Sequence, residues 1–542
     1  MLQSFHRFVQ AARVLLLASA VLACVGQRLA AADYFLTIGG GYNPSGNQAS
    51  LEANVVFFQQ VLDEKHRGPR THDIYFADGH DAAADLQVLA AKTSRADRPA
   101  TDLLAALHRR RGEEQIEYRN HSVSNIAGAL NPALVHARLE AIAKKARSGD
   151  RLIVYVTAHG SEGGKSDQFN TTIDCWDEKK ITAREFTRWL NELPSSVPVV
   201  MVMAQCYCGG FGHTIFNNLD ETKGLAPQLR AGFFAQQHNL PAAGCRPDIQ
   251  HDEEFSSYFW GAIAGRSRNG VPITDCDIDG NGTVSFAEAY AHAVIAGHTI
   301  DIPLRTSDVL LRTFSRMTLD AADAPDTRPE VNPATDKDSQ PEPKPPATAP
   351  DGNNRPQSNR ASLTGTLQSF VDQGRPVSGR IVTGLSKGLG FSLQDDVASV
   401  VAAYDTHRKN PRRPAQGGRR RPGSGRRELL QEITEKWPEL GDAKHWEESP
   451  LLKPDNQQQL LAELKQLPAW KSYDQRRQQN IESAEQSERH ELREVKFRRL
   501  INTLETITLE KHLPNVATPE VVERYRQLIR LEESTLGSTE SR

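Results

Sequence analysis

The chemistry in this sequence gathers at "VVMVMAQCYCGGF", Val199 to Phe211, where an uncharged apolar run ends in two cysteines and two glycines. A thiol attacks as thiolate, and a neighbouring imidazole with partial exposure favours that form. Imidazole is also the side chain best suited to move a proton near neutral pH. A second apolar run, "LIVYVTAHG", ends at His159 and Gly160. Cys206 and His159 therefore stand at matching ends of two apolar segments, each with glycine close by. Taken singly, each residue has a plainer reading. A buried cysteine is ordinarily a small hydrophobe, and a histidine after a strand is ordinarily a satisfied loop residue. "CYC" could also be half of a metal site, but no second Cys or His pair stands at zinc spacing.

The elements that must position these residues follow from periodicity. Strands are expected at "YFLTIGG", "HDIYFADG", "RLIVYVTAHG", "VPVVMVMAQC" and "LRAGFFAQQ". Helices are expected at "LEANVVFFQQVLDE", "NPALVHARLEAIAKKARSGD" and "TAREFTRWLNEL", the last two capped by Asn131 and Thr182. A polar, Ala-rich stretch runs from Asp81 to about Asn131. Near-continuous apolar strands alternating with helices imply an α/β fold, a mostly parallel sheet with helices on both faces. Ligands of such sheets bind beyond the carboxyl ends of the strands. One helix separates the His159 and Cys206 strands, so a single crossover can make them neighbours.

With these residues in view, "YVTAHGSEGG" and "AQCYCGGF" resemble the legumain-like (C13) cysteine peptidases of the caspase-like clan. "IGGGYNPSGNQASLEANVVFFQQVLDE" followed by "DIYFADG" is similar to that family's opening strand, helix and strand. The resemblance covers roughly residues 33–296. It implies a cysteine-type endopeptidase acting on a peptide or protein through a thioester, with Cys206 as nucleophile and His159 as general acid/base. Gly160 and Cys206 would lend backbone N–H groups to an oxyanion hole. Cys208 stands where the family carries Ser, which leaves the choice of attacking thiol open, with Cys206 favoured because it ends the apolar run. Asn43 is the candidate for the family's asparagine beside the histidine, and Gln236 and Gln237 for the primary specificity pocket. A transpeptidase or ligase, in which an amine replaces water at the thioester, shares the same nucleophile. An inactive calcium-stabilised binding scaffold is the reading from another class.

Calcium enters through "DIDGNGTVSFAE", Asp277 to Glu288, which fits the twelve-position EF-hand loop. Asp277, Asp279 and Asn281 fill positions 1, 3 and 5, and Gly282 takes the sharp turn at position 6. Thr283 offers its carbonyl, Ser285 takes position 9, and Glu288 closes the loop with a bidentate carboxylate. "FAEAYAHAVIA" is the exiting helix, whereas "FSSYFWGAIAG" stops well before the loop. A lone loop with an offset entering helix implies a structural Ca2+ site.

Composition sets the frame. The chain has 542 residues, 65 Lys+Arg and 68 Asp+Glu, a balance that argues against a chain built to coat nucleic acid. His6, Arg7 and Arg13 precede or enter the apolar run Val14 to Val25, and Ala30 and Ala32 form an A-x-A site before Asp33. Residues 1–32 therefore read as a secretory signal, and the protein is expected outside the cytoplasm, secreted or periplasmic. "VLAC" offers Cys24 as an alternative lipidated residue. No other run suits a membrane span. Beyond Cys24 come Cys175, Cys206, Cys208, Cys245 and Cys276, an odd number that leaves at least one thiol unpaired. The catalytic-type domain is expected over 33–318, a Pro-rich linker over 319–360, and a mostly helical region over 361–542 that binds a partner or regulates the site. Within it, 409–427 is a basic low-complexity run, read as a solvated linker.

Overall fold

The computed structural model describes residues 31–89, 99–108, 116–243, 254–315, 363–409, 424–446 and 448–537. Of the expected signal segment 1–32, residues 1–30, with Cys24, lie outside the described residues, as do Cys245, the whole of the expected linker 319–360 and most of the basic run 409–427.

A seven-stranded sheet organises the N-terminal half. Its strands are β1 (Asp33–Gly40), β2 (Arg70–Phe76), β5 (Ile126–Gly128), β6 (Arg151–Ala158), β9 (Val199–Met203), β10 (Arg230–Phe234) and β11 (Leu304–Arg305). Their order is β11-β10-β9-β6-β1-β2-β5. All neighbours pair in parallel except β10 with β11. Successive residues of a strand point to opposite faces. Every residue of β6 and of β9 is buried, so both faces of the sheet centre are covered. Four helices have the expected places: α1 (Ala49–Lys65), α3 (Pro132–Lys145), α4 (Ala183–Leu190) and α6 (Phe286–Ala296). The Asn131 side chain accepts from Ala133 N, and Thr182 with Glu185 forms a capping box.

The polar stretch after Asp81 carries more structure than its pattern announced. It holds an antiparallel hairpin of β3 (Leu86–Leu89) with β4 (Ile116–Arg119), and a helix α2 (Pro99–Leu107). A second hairpin, β7 (Thr172–Asp174) with β8 (Lys180–Thr182), fills the crossover between β6 and α4. Helices α5 (Phe255–Ala264) and α7 (Thr306–Phe314) complete this half.

The C-terminal region is helical throughout its described part: α8 (Leu367–Gln373), α9 (Pro376–Leu389), α10 (Val397–Lys409), α11 (Ser424–Lys436), α12 (Gln457–Leu464), α13 (Trp470–Val516) and α14 (Pro519–Glu532). It does not stand apart. Val382, Leu385, Leu500, Leu504 and Leu528 belong to the same buried apolar cluster as the sheet. A second cluster joins Leu103, Leu104 and Leu107 of α2 to Leu429, Ile433 and Leu464. Gln457 Oε1 accepts from Ala100 N (3.0 Å) and Thr101 N (3.1 Å), and so caps α2 from the other half of the chain. Among the described residues, no helix is long and apolar enough to cross a membrane.

Candidate active site

The strands that lead to His159 and Cys206 are neighbours, as expected. β6 and β9 run side by side, with Leu152 opposite Val199 and Val156 opposite Met203. Ala204 N donates to Val156 O (2.9 Å), so pairing continues to the point where both chains leave the sheet. Gly160 is where they touch. A Cβ built there would lie 2.4 Å from Cys206 O, 2.7 Å from Thr172 O and 2.9 Å from Gln205 Cγ. Only glycine permits so close an approach. The Gly160 N–H makes no hydrogen bond among the described residues.

His159 is held from the first loop. Its Nε2 lies 2.7 Å from Gly46 O and 2.9 Å from Gln48 Oε1, and the Tyr42 ring stands edge-on with centroids 5.1 Å apart. A backbone carbonyl only accepts, so the ring proton sits on Nε2. The neutral ring then keeps its lone pair on Nδ1, the form a general base needs. Burial pushes the imidazole below its ordinary value, against smaller upward pulls from the Gly46 carbonyl and Asp174.

Asn43, the expected companion of His159, is one step removed. Its Oδ1 accepts from Gly46 N (3.0 Å) and Ser45 Oγ (2.7 Å), and its Nδ2 donates to Glu178 Oε1 (3.4 Å). Asparagine folds its own turn this way, and the turn then aims the Gly46 carbonyl at the imidazole. Gln48 and Gly46, the direct partners, went unnoticed in the sequence. A backbone carbonyl has no residue-type signature, and Gln48 reads as the entry to α1.

The two thiols differ sharply. Tyr207, between them, has a left-handed φ of 59°. Cys206 is partly exposed, whereas Cys208 is buried. Cys206 Sγ accepts from Ala242 N (3.3 Å) and donates to Ala242 O (3.7 Å). Cys208 Sγ is fixed between Gln236 N (3.3 Å) and Gln236 O (3.5 Å), and burial pushes its thiol far up. Burial likewise raises Cys175 to about 12 and Cys276 to about 11. A thiolate is thus disfavoured at these three positions. Among the described residues, Cys175, Cys206, Cys208 and Cys276 form no disulfide.

Of the two expected pocket residues, Gln236 is a structural one. It is buried, donating from Nε2 to Pro241 O (3.1 Å) and Ile300 O (3.4 Å) and accepting from Ile302 N (3.2 Å). A side chain so fully engaged within the protein has no group left for a substrate. Gln237 instead lines a cavity of about 370 Å³. Phe169, His213 and His238 face it from the sheet half, Ile381, Asn502 and Thr503 from the C-terminal helices. His213 stacks on Phe169 with ring centroids 3.6 Å apart, and burial lowers it to about 3.

The acidic loop has the expected winding. Carboxylate oxygens of Asp277, Asp279 and Glu288 lie within 4.8 Å of one another. Asp277 accepts from Asn281 N (3.1 Å) and Gly282 N (2.8 Å), and Gly282 has φ +88°. Thr283 N donates to Asn281 Oδ1 (2.9 Å). Ser285 caps α6, its Oγ donating to Glu288 Oε2 (2.8 Å), while Glu288 Oε1 accepts from Ile278 N (2.6 Å). Oxygen donors in this set suit a hard divalent cation. The entering helix is offset as the sequence implied, for α5 ends at Ala264.

No family model matches the sequence, and no curated protein matches it. Among solved structures, protein GSU0716 from Geobacter sulfurreducens aligns over 48% of this chain and 88% of its own, at 9% identity and a TM-score of 0.27. A likeness that slight assigns neither family nor activity.

Proposed function

We propose that this chain is an exported cysteine peptidase of the legumain-like kind, with Cys206 as nucleophile and His159 as general base. The observation that carries the reading is the contact at Gly160. It sets the His159 loop against Cys206, while the Nε2–H of His159 is engaged and Nδ1 keeps its lone pair. In the proposed reaction the Cys206 S–H proton passes to His159 Nδ1 and the sulfur pair attacks the substrate carbonyl carbon. The Gly160 and Cys206 N–H groups receive the oxyanion. The C–N bond then breaks as His159 returns the proton to the leaving amine, and water hydrolyses the thioester. The cavity of about 370 Å³ beyond Gly209 takes a side chain of the peptide. Asp277, Asp279, Asn281, Thr283, Ser285 and Glu288 hold a structural Ca2+, which stabilises the folded form that binds it.

The test is to treat the full chain with a thiol-reactive peptidyl ketone and map the adduct by mass spectrometry. Labelling at Cys206 that is lost in His159→Ala supports the proposal. Adducts at Cys175 or Cys276, or labelling indifferent to His159→Ala, would reject it.

A further inference from the structure

Arg499 lies on α13, in the C-terminal half, and is 3% exposed. A guanidinium has five N–H donors, and all five are satisfied from one short stretch of the sheet half. Nε donates to Asp301 O (2.8 Å). Nη1 donates to Val294 O (3.0 Å) and Gly297 O (2.8 Å), and Nη2 to Thr299 O (2.9 Å) and Thr299 Oγ1 (3.1 Å). These acceptors cover the last turn of α6 and the turn that follows it. A helix end whose carbonyls point into a buried space needs such donors. Burial lowers Arg499 to about 10.

That turn grips the segment beside the nucleophile. Asp301 Oδ1 accepts from Ala243 N (2.8 Å). Gln236 ties Ile300 O to Pro241 O. Ala242, flanked by these anchors, makes two hydrogen bonds to Cys206 Sγ. The path from Arg499 to the thiol is therefore an unbroken chain of hydrogen bonds and peptide bonds.

We infer that Arg499 is a positioning residue for Cys206: from the C-terminal helices it fixes the 297–301 turn, which fixes Ala242 against the thiol. The inference rests on the peptidase reading, for it gives the C-terminal half a part in that site. The Ala242 N–H, 3.3 Å from Sγ, favours thiolate, and the Ala242 carbonyl, at 3.7 Å, favours thiol; the nearer donor prevails, so Ala242 held in place makes Cys206 easier to ionise. The titratable groups around it are Tyr207 and Cys208, with Glu162 beside Tyr207, Asp301 beside Cys208, and His159 across the strand ends.

The test follows Cys206 alkylation by iodoacetamide from pH 6 to 10 in the full chain, resolved by mass spectrometry, with the unfolding temperature measured in parallel. In Arg499→Met the midpoint at Cys206 is expected to move up by about one pH unit, with alkylation at pH 7 about tenfold slower. Arg499→Lys, with three donors for five acceptors, is expected to shift it partway, and it replaces Arg499→Met if that variant does not fold. Glu532→Ala serves as the comparison: it removes an acceptor elsewhere between the halves and lowers the unfolding temperature with the Cys206 profile unchanged. A lowered unfolding temperature with an unmoved Cys206 midpoint in the Arg499 variants would overturn the inference. Alkylation needs no turnover. A parent protein that shows the Arg499 effect but cleaves no peptide would therefore defeat the peptidase reading and leave the positioning role standing.

Discussion

Gly160→Ala tests the proposed site at its tightest point. The new Cβ would lie 2.4 Å from Cys206 O and 2.7 Å from Thr172 O, both backbone atoms that cannot rotate away. Bringing the nearer contact to the 3.0 Å that real Cβ atoms respect needs a shift of about 0.6 Å. Overpacking of this kind costs about 1–3 kcal/mol, which for a protein of this size lowers the unfolding temperature by a few degrees. The effect on catalysis is larger. Displacing the His159 loop from Cys206 by a good fraction of an ångström costs about 100-fold in rate. The thiol itself survives, so a small alkylating reagent still modifies Cys206. The expected result is kcat/KM for a cleavable peptide down about 100-fold, with Cys206 alkylated and the fold retained. Parent-like kcat/KM and unfolding temperature in Gly160→Ala would refute the contact on which the proposed mechanism depends.

Other outcomes follow from the same geometry. Cys208→Ala removes a buried thiol that bonds only within the protein, so it should cost about 1–2 kcal/mol of stability by chemical denaturation and leave Cys206 labelling intact. Adding Ca2+ to protein stripped with chelator should raise the unfolding temperature, and Glu288→Gln should abolish the rise, since binding to the folded form alone stabilises it. The acid side of the stability profile should respond to His213, buried and lowered to about 3. The unfolded chain protonates its histidines near 6.5, so the stability from neutral His213 is full above that pH and is lost as pH falls toward 3. His213→Phe keeps the stack on Phe169 and cannot bind the proton, so its unfolding temperature should fall less steeply below pH 6.5 in thermal scans.

The sheet centre was legible because burial on both faces of β6 and β9 leaves apolar residues at every position, which reads directly as a strand. Caps were legible for a local reason: Asn131 and Thr182 act within their own turn. The elements between Asp81 and Asn131 were not. α2 buries its apolar residues against helices that lie more than 300 residues further along the chain, and Leu86 of the short hairpin packs with Val55, Ile74 and Phe76. At the candidate site, the places of Cys206, His159 and Gly160 at neighbouring strand ends were readable, whereas the imidazole's nearer partner is a backbone carbonyl that any residue could supply. Gln236 and Gln237 are adjacent and alike in type. Only the tertiary placement of Pro241 and Ile300 turns one inward and leaves the other at the cavity. Arg499 in "KFRRLINTL" has the look of a solvated helix face; its burial depends on a turn two hundred residues earlier.

The buried charges between the halves say how far the C-terminal helices belong to the same body as the sheet. Arg305 donates to Asp308 Oδ1 (3.1 Å) and to Glu532 Oε2 (3.3 Å), and none of the three is appreciably exposed. Glu532 also accepts from Ser307 N (3.2 Å) and Ser307 Oγ (2.9 Å). One cation thus faces two carboxyl groups in a dry setting. Burial raises Glu532 to about 7, whereas Arg305 holds Asp308 below the usual carboxylate range against the cost of its burial. Near neutral pH the neighbourhood therefore stays close to neutral, with Asp308 ionised and Glu532 sharing in a proton. Removing α14 would strip an acceptor from Arg305 and from Ser307, both inside the core, and broken buried pairs cost about 3–5 kcal/mol. A peptidase whose helical tail were a detachable cover would place its polar seams where water could heal them. Here the seams are sealed, and one of them, at Arg499, runs to the loop that touches Cys206, the proposed nucleophile.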